Sequence, residues 1–175
     1  MNTRFNYRRL DAQARTLMLE EIKGAEARGD LYFSTRFTAG GVQAWPALLA
    51  EAAQTYDEHW LAYQVESRGH MKHLELKAKP SGGYTTAHVP DIAAETLADG
   101  QFTRFYIAVV CRRTIEEGKK EVVVYRAKSR GQPRAESVAL EGRSFDAASL
   151  LAQVRARQGS LDCELLKPNS GLAVE

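Results

Sequence analysis

The chain has 175 residues, of which 44% are hydrophobic and 26% are charged. This mixture is typical of one soluble globular domain and argues against both a disordered polymer and a membrane protein. A chain of this length buries roughly 70% of the surface that its unfolded form exposes, so it needs no disulfide or metal to hold a core. The 24 basic and 22 acidic residues nearly cancel, and the net charge of +2 permits an anionic partner without requiring one.

The two cysteines, Cys111 and Cys163, lie far apart and fit no metal-ligand spacing. Such cysteine usage favours a reducing compartment. The longest apolar run is too short to cross a bilayer, and the first residues lack the apolar stretch of a secretory signal. We therefore expect a cytoplasmic protein that contacts no membrane and carries no cofactor.

Three helices are predicted in the first part of the chain. Asp11 is placed to cap the first helix, and Gly29 ends it. Pro46 fits the first turn of the second helix, where its missing amide hydrogen costs nothing. Asp57 is placed to cap the third, which stops at Gly69.

Three helices are too few to close a core without the rest of the chain. We therefore predict one domain over 1–175, with a helical part at 1–70 and an α+β part at 71–175. The α+β part begins with a hairpin over 71–89, in which apolar and charged residues alternate. This alternation predicts strands with one buried apolar face, including Leu74 and Leu76, and one solvated charged face.

A long helix that Asp91 is placed to cap is predicted over 91–117, either continuous or broken near Gly100. The strand predicted over 121–128 contains three consecutive valines, which indicate burial on both of its faces. The predicted fold is α+β and mainly helical, with a small antiparallel sheet packed against the long helix. That sheet is expected to combine the hairpin with the valine-rich strand.

The last part of the chain is predicted to be less regular. Residues 129–142 are polar and rich in glycine and proline, which indicates a surface loop. A last helix begins after Asp146. The tail, 165–175, is too short for a further element and is expected to cross the surface or reach a partner.

No complete catalytic arrangement appears in the sequence: there is no nucleophile elbow, phosphate-binding loop or dinucleotide fingerprint. The leading hypothesis is therefore a noncatalytic interaction or assembly protein whose loop and tail reach a protein partner or a second copy of the chain. Three tyrosines that follow no helical pattern are candidate contact residues: Tyr7, Tyr32 and Tyr84.

A nucleic-acid or polyanion surface is the first alternative. Between Lys119 and Arg134 six cations face one acid, Glu121, and such an excess suits phosphate contacts. The opposing interpretation is that these cations pair with nearby acids on an ordinary surface. The candidate binding residues are Arg104, Arg112, Lys119, Lys120, Arg126, Lys128, Arg130 and Arg134.

Magnesium-dependent phosphodiester cleavage is the second alternative. Glu75 and Lys77 leave one face of a strand at the spacing that such sites use, and Asp57 or Asp91 would supply a further ligand. The pattern is short, and alternating charges on a solvated strand give the same spacing. The histidines do not predict a metal site, because His70 and His73 lie on opposite faces of a strand. Cys111 lies among apolar residues and is interpreted as a buried small side chain.

Overall fold

A computed structural model describes residues 4–129, 131–156 and 164–175. The helices are α1 Ala12–Arg28, α2 Ala39–Thr55, α3 Glu58–Ser67, α4 Ala93–Glu116, α5 Ala135–Leu140 and α6 Ala147–Arg155. The strands are β1 Leu74–Ala78, β2 Tyr84–His88, β3 Glu121–Arg126, β4 Ser144–Asp146 and β5 Leu172–Val174. A short 3-10 turn covers Glu164–Leu166. Of the described residues 52% are helical, and the strands pair antiparallel, which confirms the α+β class.

The predicted caps of α1, α3 and α6 are confirmed, whereas Asp91, the expected cap of the long helix, does not cap α4. The Asp11 carboxylate accepts the Ala14 amide hydrogen at 2.8 Å, and Asp57 accepts that of Trp60 at the same distance. Gly29 ends α1 with a φ of 71°, a left-handed conformation that glycine adopts without strain. The Asp146 carboxylate likewise caps α6 through the Ser149 amide.

The predicted start of α2 is wrong. Thr38 caps this helix by accepting the Gly41 amide hydrogen, so Pro46 lies inside the helix and not in its first turn. Gly41 is required at this start, because a Cβ there would lie 2.3 Å from the His70 carbonyl oxygen. A glycine pair that is typical of a loop in sequence therefore permits close packing between α2 and the chain before β1.

The long helix α4 is continuous through Gly100 and forms the centre of the core. It packs against α1, α3 and α6 and also contacts β3 and β5. Phe102 and Tyr106 are fully buried in it, and so is Cys111, whose pKa burial raises to about 12. No helix in the described ranges has the length and apolar character needed to cross a membrane.

The strands divide between two sheets, which corrects the prediction of one. β1 and β2 form a two-stranded hairpin, whereas β3 pairs with β4 on one side and with β5 on the other. The hairpin and the valine-rich strand therefore share no pairing. The neighbours of β3 come from later in the chain, and they leave no edge of it for the hairpin.

Three further predictions in the second half of the chain are wrong. Val122 and Val124 are buried, but Val123 is 38% exposed, so the run of three valines is covered on one face only, and Tyr125 is the buried residue on the face of Val123. The stretch expected to be a loop contains α5, and the tail forms β5, whose three residues are all buried. The buried tail is thus integral to the fold, which removes the reason for expecting it to reach a partner.

Candidate interaction surface

The hairpin of β1 and β2 is the least covered regular structure in the described residues. Its two strands pair from Leu74 opposite His88 to Ala78 opposite Tyr84; among their residues Glu75 and Ala87 are half-buried and the others are exposed. No other helix or strand packs extensively against it. A two-stranded hairpin of this kind has little stability of its own, so its connection to the body matters.

The apolar face of the hairpin points to solvent, which reverses the predicted orientation. Leu74 is 49% exposed, Leu76 73% and Tyr84 71%. Because alternate residues of a strand share one side, and Ala78 pairs with Tyr84, these three side chains lie on the same face. We call Leu74, Leu76 and Tyr84 the apolar hairpin face.

The opposite face is held to the body by an ion pair. The Arg36 guanidinium donates to both oxygens of Glu75, from Nε at 2.6 Å and from Nη2 at 3.0 Å. These hydrogen bonds lower the pKa of the Glu75 carboxyl. Lys77 Nζ lies 3.8 Å from the same carboxylate. Arg36 therefore anchors the charged face to the body at Glu75, and the leucines are left on the opposite, exposed face.

The hairpin is also held through its backbone, where the loop before α2 runs beside it. The Lys72 amide donates to the Arg36 carbonyl at 2.8 Å, and the Thr38 amide donates to the His70 carbonyl at 2.9 Å. Phe37 and Met71 form an isolated antiparallel bridge between these two bonds. The base of the hairpin thus pairs through its backbone with a short third segment. Beyond Lys72, no third segment of the described residues pairs with the hairpin backbone.

Of the three candidate tyrosines, one lies on the apolar hairpin face. Tyr84 projects there, but Tyr7 is half-buried, stacks on Phe5 and bonds to the Thr103 hydroxyl at 2.8 Å. Tyr32 lines a cavity of about 260 Å³ between the loop before α2 and the first half of α4. The two arginines that line this cavity, Arg36 and Arg104, are both hydrogen-bonded to other parts of the protein.

The candidate basic residues of the valine-rich strand are bound inside the protein. Lys128 is 4% exposed and donates to Asp99 at 2.6 Å and to Glu95 at 2.9 Å. Arg126 pairs with Glu141 at 2.6 Å and also donates to a backbone carbonyl. A buried ammonium cannot reach a phosphate without unfolding its surroundings, so Lys128 is not part of a basic surface.

The remaining basic candidates do not form one charged face. Arg104 donates to the carbonyls of Val154 and Ala156 at the end of α6, and Arg112 pairs with Glu20 and Glu21 of α1. Lys119 is exposed and pairs with Glu117 at 2.9 Å, Lys120 is exposed beside it, and Arg134 donates to the Pro168 carbonyl. Arg130 lies outside the described residues, as does Cys163.

The acids of the hydrolytic hypothesis are also engaged elsewhere. Both oxygens of Glu75 are bound by Arg36, which neutralises the carboxylate that would hold a cation. Asp57 is occupied as the cap of α3, and Asp91 lies exposed before α4 without capping it. In the part of the chain that the structure describes, no group of three His, Cys, Asp or Glu side chains could hold a metal ion.

The residue that sequence reasoning missed is Arg36, which decides which face of the hairpin is covered. It is separated from Glu75 by 39 positions, and its surroundings in the sequence carry no sign of that pairing. An arginine beside tyrosine, phenylalanine, serine and threonine in a non-helical stretch was the only available signal. Searches against protein-family models, curated proteins and solved structures found no match to this chain.

Proposed function

We propose that this chain is a noncatalytic interaction protein that binds a protein partner through the apolar hairpin face. The observation that carries this is the orientation of the hairpin, which exposes Leu74, Leu76 and Tyr84 together while its charged face is tied to the body. Scattered apolar residues on a surface are ordinary, but adjacent ones on an otherwise unpacked element are typical of an interaction site. Tyrosine is enriched in such sites because its ring packs while its hydroxyl stays solvated.

The charge of the hairpin favours a partner other than a second copy. The stretch from His70 to Val89 carries Lys72, Lys77 and Lys79 against one acid, Glu75, which Arg36 already neutralises. A symmetric dimer across this element would place the same lysines near one another, and like charges at close range are unfavourable. An acidic partner surface would instead be attracted to them.

The other two hypotheses receive less support from the geometry. Most of the basic candidates are bonded within the protein, and Arg36 occupies the Glu75 carboxylate that would hold a cation. A protein partner needs neither a basic face nor a metal. We retain the cytoplasm as the location of the complex, on the basis of the sequence.

Site-specific photo-crosslinking tests this function. A photoreactive residue replaces Leu76 in the full chain, and a matched control replaces Val138 of α5, which is 49% exposed but lies outside the hairpin. We expect a discrete adduct with one other protein at position 76 and none at position 138. Adducts only with a second copy, only with nucleic acid, or equal adducts at both positions would overturn the proposal.

The purified partner then allows a quantitative test. Replacing all three residues of the apolar hairpin face by serine should weaken binding at least about tenfold, because contacts at the centre of an interface carry most of the affinity. The control variant Val138→Ser should bind as the unchanged protein does. Light scattering of the protein alone reports any self-association, and a short DNA duplex at low salt reports any polyanion binding.

A further inference from the structure

We infer that the partner adds to the hairpin as a third β-strand, by pairing an extended segment of alternating apolar and acidic residues with the outer edge of β1. This inference rests on the proposed function and specifies the form and chemistry of the partner. Three features support it. In the described ranges, the outer edge of β1 has unpaired backbone groups, and the chain just before β1 is already paired on that edge with the segment 36–38. The two faces beside the edge carry apolar side chains on one side and lysines on the other.

The direction of the backbone groups follows from the hairpin hydrogen bonds. At one end the Val89 amide donates to the His73 carbonyl at 2.9 Å, and at the other the Lys79 amide donates to the Gly83 carbonyl at 3.0 Å. Successive residues of a strand direct their amide and carbonyl groups to opposite edges. The odd-numbered residues of β1 therefore face β2, and the amides and carbonyls of Leu74, Leu76 and Ala78 face outward.

The same edge is already paired nearer the body. His70 and Lys72 are bonded there to the segment 36–38, which runs antiparallel to the chain before β1. The pairing stops at Arg36 because a turn, closed by the Phe37 amide on the Ser34 carbonyl at 3.1 Å, leads the loop away. An added strand would continue this pairing along Leu74, Leu76 and Ala78.

The side chains beside this edge select the composition of the added strand. On the outward face, its apolar residues would pack beside Leu74 and Leu76. On the other face, its alternate residues would meet Lys77 and Lys79, whose side chains are exposed and whose positive charge attracts carboxylates. One strand of period two satisfies both faces, because its side chains alternate between them.

The choice of β1 over β2 follows from charge. β2 also directs backbone groups outward, but it contains no acidic or lysine side chain. Lysines on an exposed edge discourage pairing between identical chains, which protects the free protein from aggregation. The same lysines permit pairing with an acidic strand.

A peptide probe tests strand addition on the full chain. The probe is a short fluorescent peptide in which valine and glutamate alternate, and the control has the same composition with the valines and glutamates in separate blocks. We expect the alternating peptide to bind at least about tenfold more tightly, measured by fluorescence anisotropy. Only one of the two sets of alternate peptide amides faces β1 in the added strand. Methylation of that set should abolish binding, and methylation of the other set should leave it unchanged.

The protein itself supplies two further readouts. Hydrogen exchange at the amides of Leu74 and Leu76 should slow on peptide binding, whereas the Lys77 amide, which faces β2, should change little. Lys77→Ala with Lys79→Ala should weaken binding, and Lys23→Ala on the exposed surface of α1 should not.

The outcomes separate this inference from the function on which it rests. A crosslinked partner combined with equal effects of both methylation registers would overturn strand addition and leave the hairpin as a docking face. Register-dependent peptide binding without any crosslinked partner would uphold the edge geometry and overturn the proposed function. Equal binding of the alternating and block peptides would overturn the inference outright.

Discussion

The two sheets of this protein are built from similar strands, yet the rest of the fold covers them differently. In the three-stranded sheet, β3 has a neighbour on each side, and Val122, Val124 and all of β5 are buried against the helices. In the hairpin each strand has one neighbour, and two leucines and a tyrosine lie outside. Apolar residues in strands thus contribute to stability in the first region and remain available for contacts in the second. Coverage by the rest of the fold makes the difference.

The same substitution in each sheet gives the largest test of this contrast. Leu172→Ala should lower the free energy of unfolding by about 4 kcal/mol, because it leaves a cavity in a fully buried strand. Leu76→Ala should change it by less than about 0.5 kcal/mol, since a side chain exposed to water loses little packing. Urea unfolding followed by circular dichroism measures both values. Equal losses would mean that the hairpin face is covered in solution.

Removal of a buried acid should have a somewhat smaller effect. Asp99→Ala removes the buried carboxylate that pairs with the Lys128 ammonium. Lys128 then keeps its pairing with Glu95, whose side chain is half exposed. We expect a loss of about 3 kcal/mol, because an undercompensated buried charge is costly. The control Asp91→Ala removes an exposed acid of similar size near the start of α4 and should be nearly neutral. A small effect of Asp99→Ala in urea unfolding would place Lys128 at the surface, where the polyanion hypothesis needs it.

Two buried glutamates should respond to pH in opposite directions. Burial opposes ionisation of Glu21, but the hydrogen bonds and charges of Arg155 and Arg112 outweigh it and lower its pKa. Its contribution to stability is therefore present at neutral pH and is lost as the pH falls from about 4.3, the unfolded value, through the lower folded pKa. Glu21→Gln should cost about 2 kcal/mol at neutral pH, with the difference from the unchanged protein vanishing in acid.

The contribution of Glu58 to stability should depend on pH in the opposite direction. Burial raises its pKa. Its carboxylate accepts a hydrogen bond from the Phe5 amide at 3.0 Å, and no cation of the described residues pairs with it. The folded protein thus favours the protonated form, and stability declines as the pH rises from the unfolded value through the raised folded pKa. Glu58→Gln should stabilise the protein at neutral pH and lose this advantage in acid. Urea unfolding at acid and neutral pH measures both variants. If Glu21→Gln and Glu58→Gln changed the free energy of unfolding in the same direction at neutral pH, the opposite signs assigned to the two glutamates would be wrong.

Local chemistry explains the parts of the fold that could be predicted from the sequence. Asp11, Asp57 and Asp146 cap helices through amides three residues away, so the chain around each carries the whole signal. The hairpin likewise follows from its own alternation and its glycine turn. Pairings over long distances left no such signal. β5 joins β3 from the far end of the chain, and a strand of three residues is too short to show a period.

The candidate surface could be predicted only where its signal is local. The alternation of β1 identified which residues share a face, and the structure keeps those sets together. It could not indicate which face would be covered, since a pattern of period two is identical when turned over. The basic segment shows the same limit, because a count of cations does not reveal that Asp99, Glu141 and Glu117 lie within bonding distance of them.

The smallest expected effect comes from Arg36, which separates anchoring of the hairpin from stability of the core. Arg36→Ala removes both hydrogen bonds to Glu75 but leaves the backbone bonds of the loop and the buried residues of the three-stranded sheet in place. The midpoint of urea unfolding should therefore stay nearly unchanged, while hydrogen exchange at the amides that join β1 to β2 should become faster. Arg68→Ala, an exposed arginine at the end of α3, is the control and should alter neither.

The pairing is also pH-dependent, because Arg36 lowers the pKa of Glu75 and the anchor persists until the pH falls through that lowered value. The protection of the hairpin amides, measured against exchange in an unstructured peptide at the same pH, should then fall in the unchanged protein and approach that of the variant. If Arg36→Ala instead shifted the unfolding midpoint strongly, the hairpin would be part of the cooperative core, and the contrast between the two sheets would not hold.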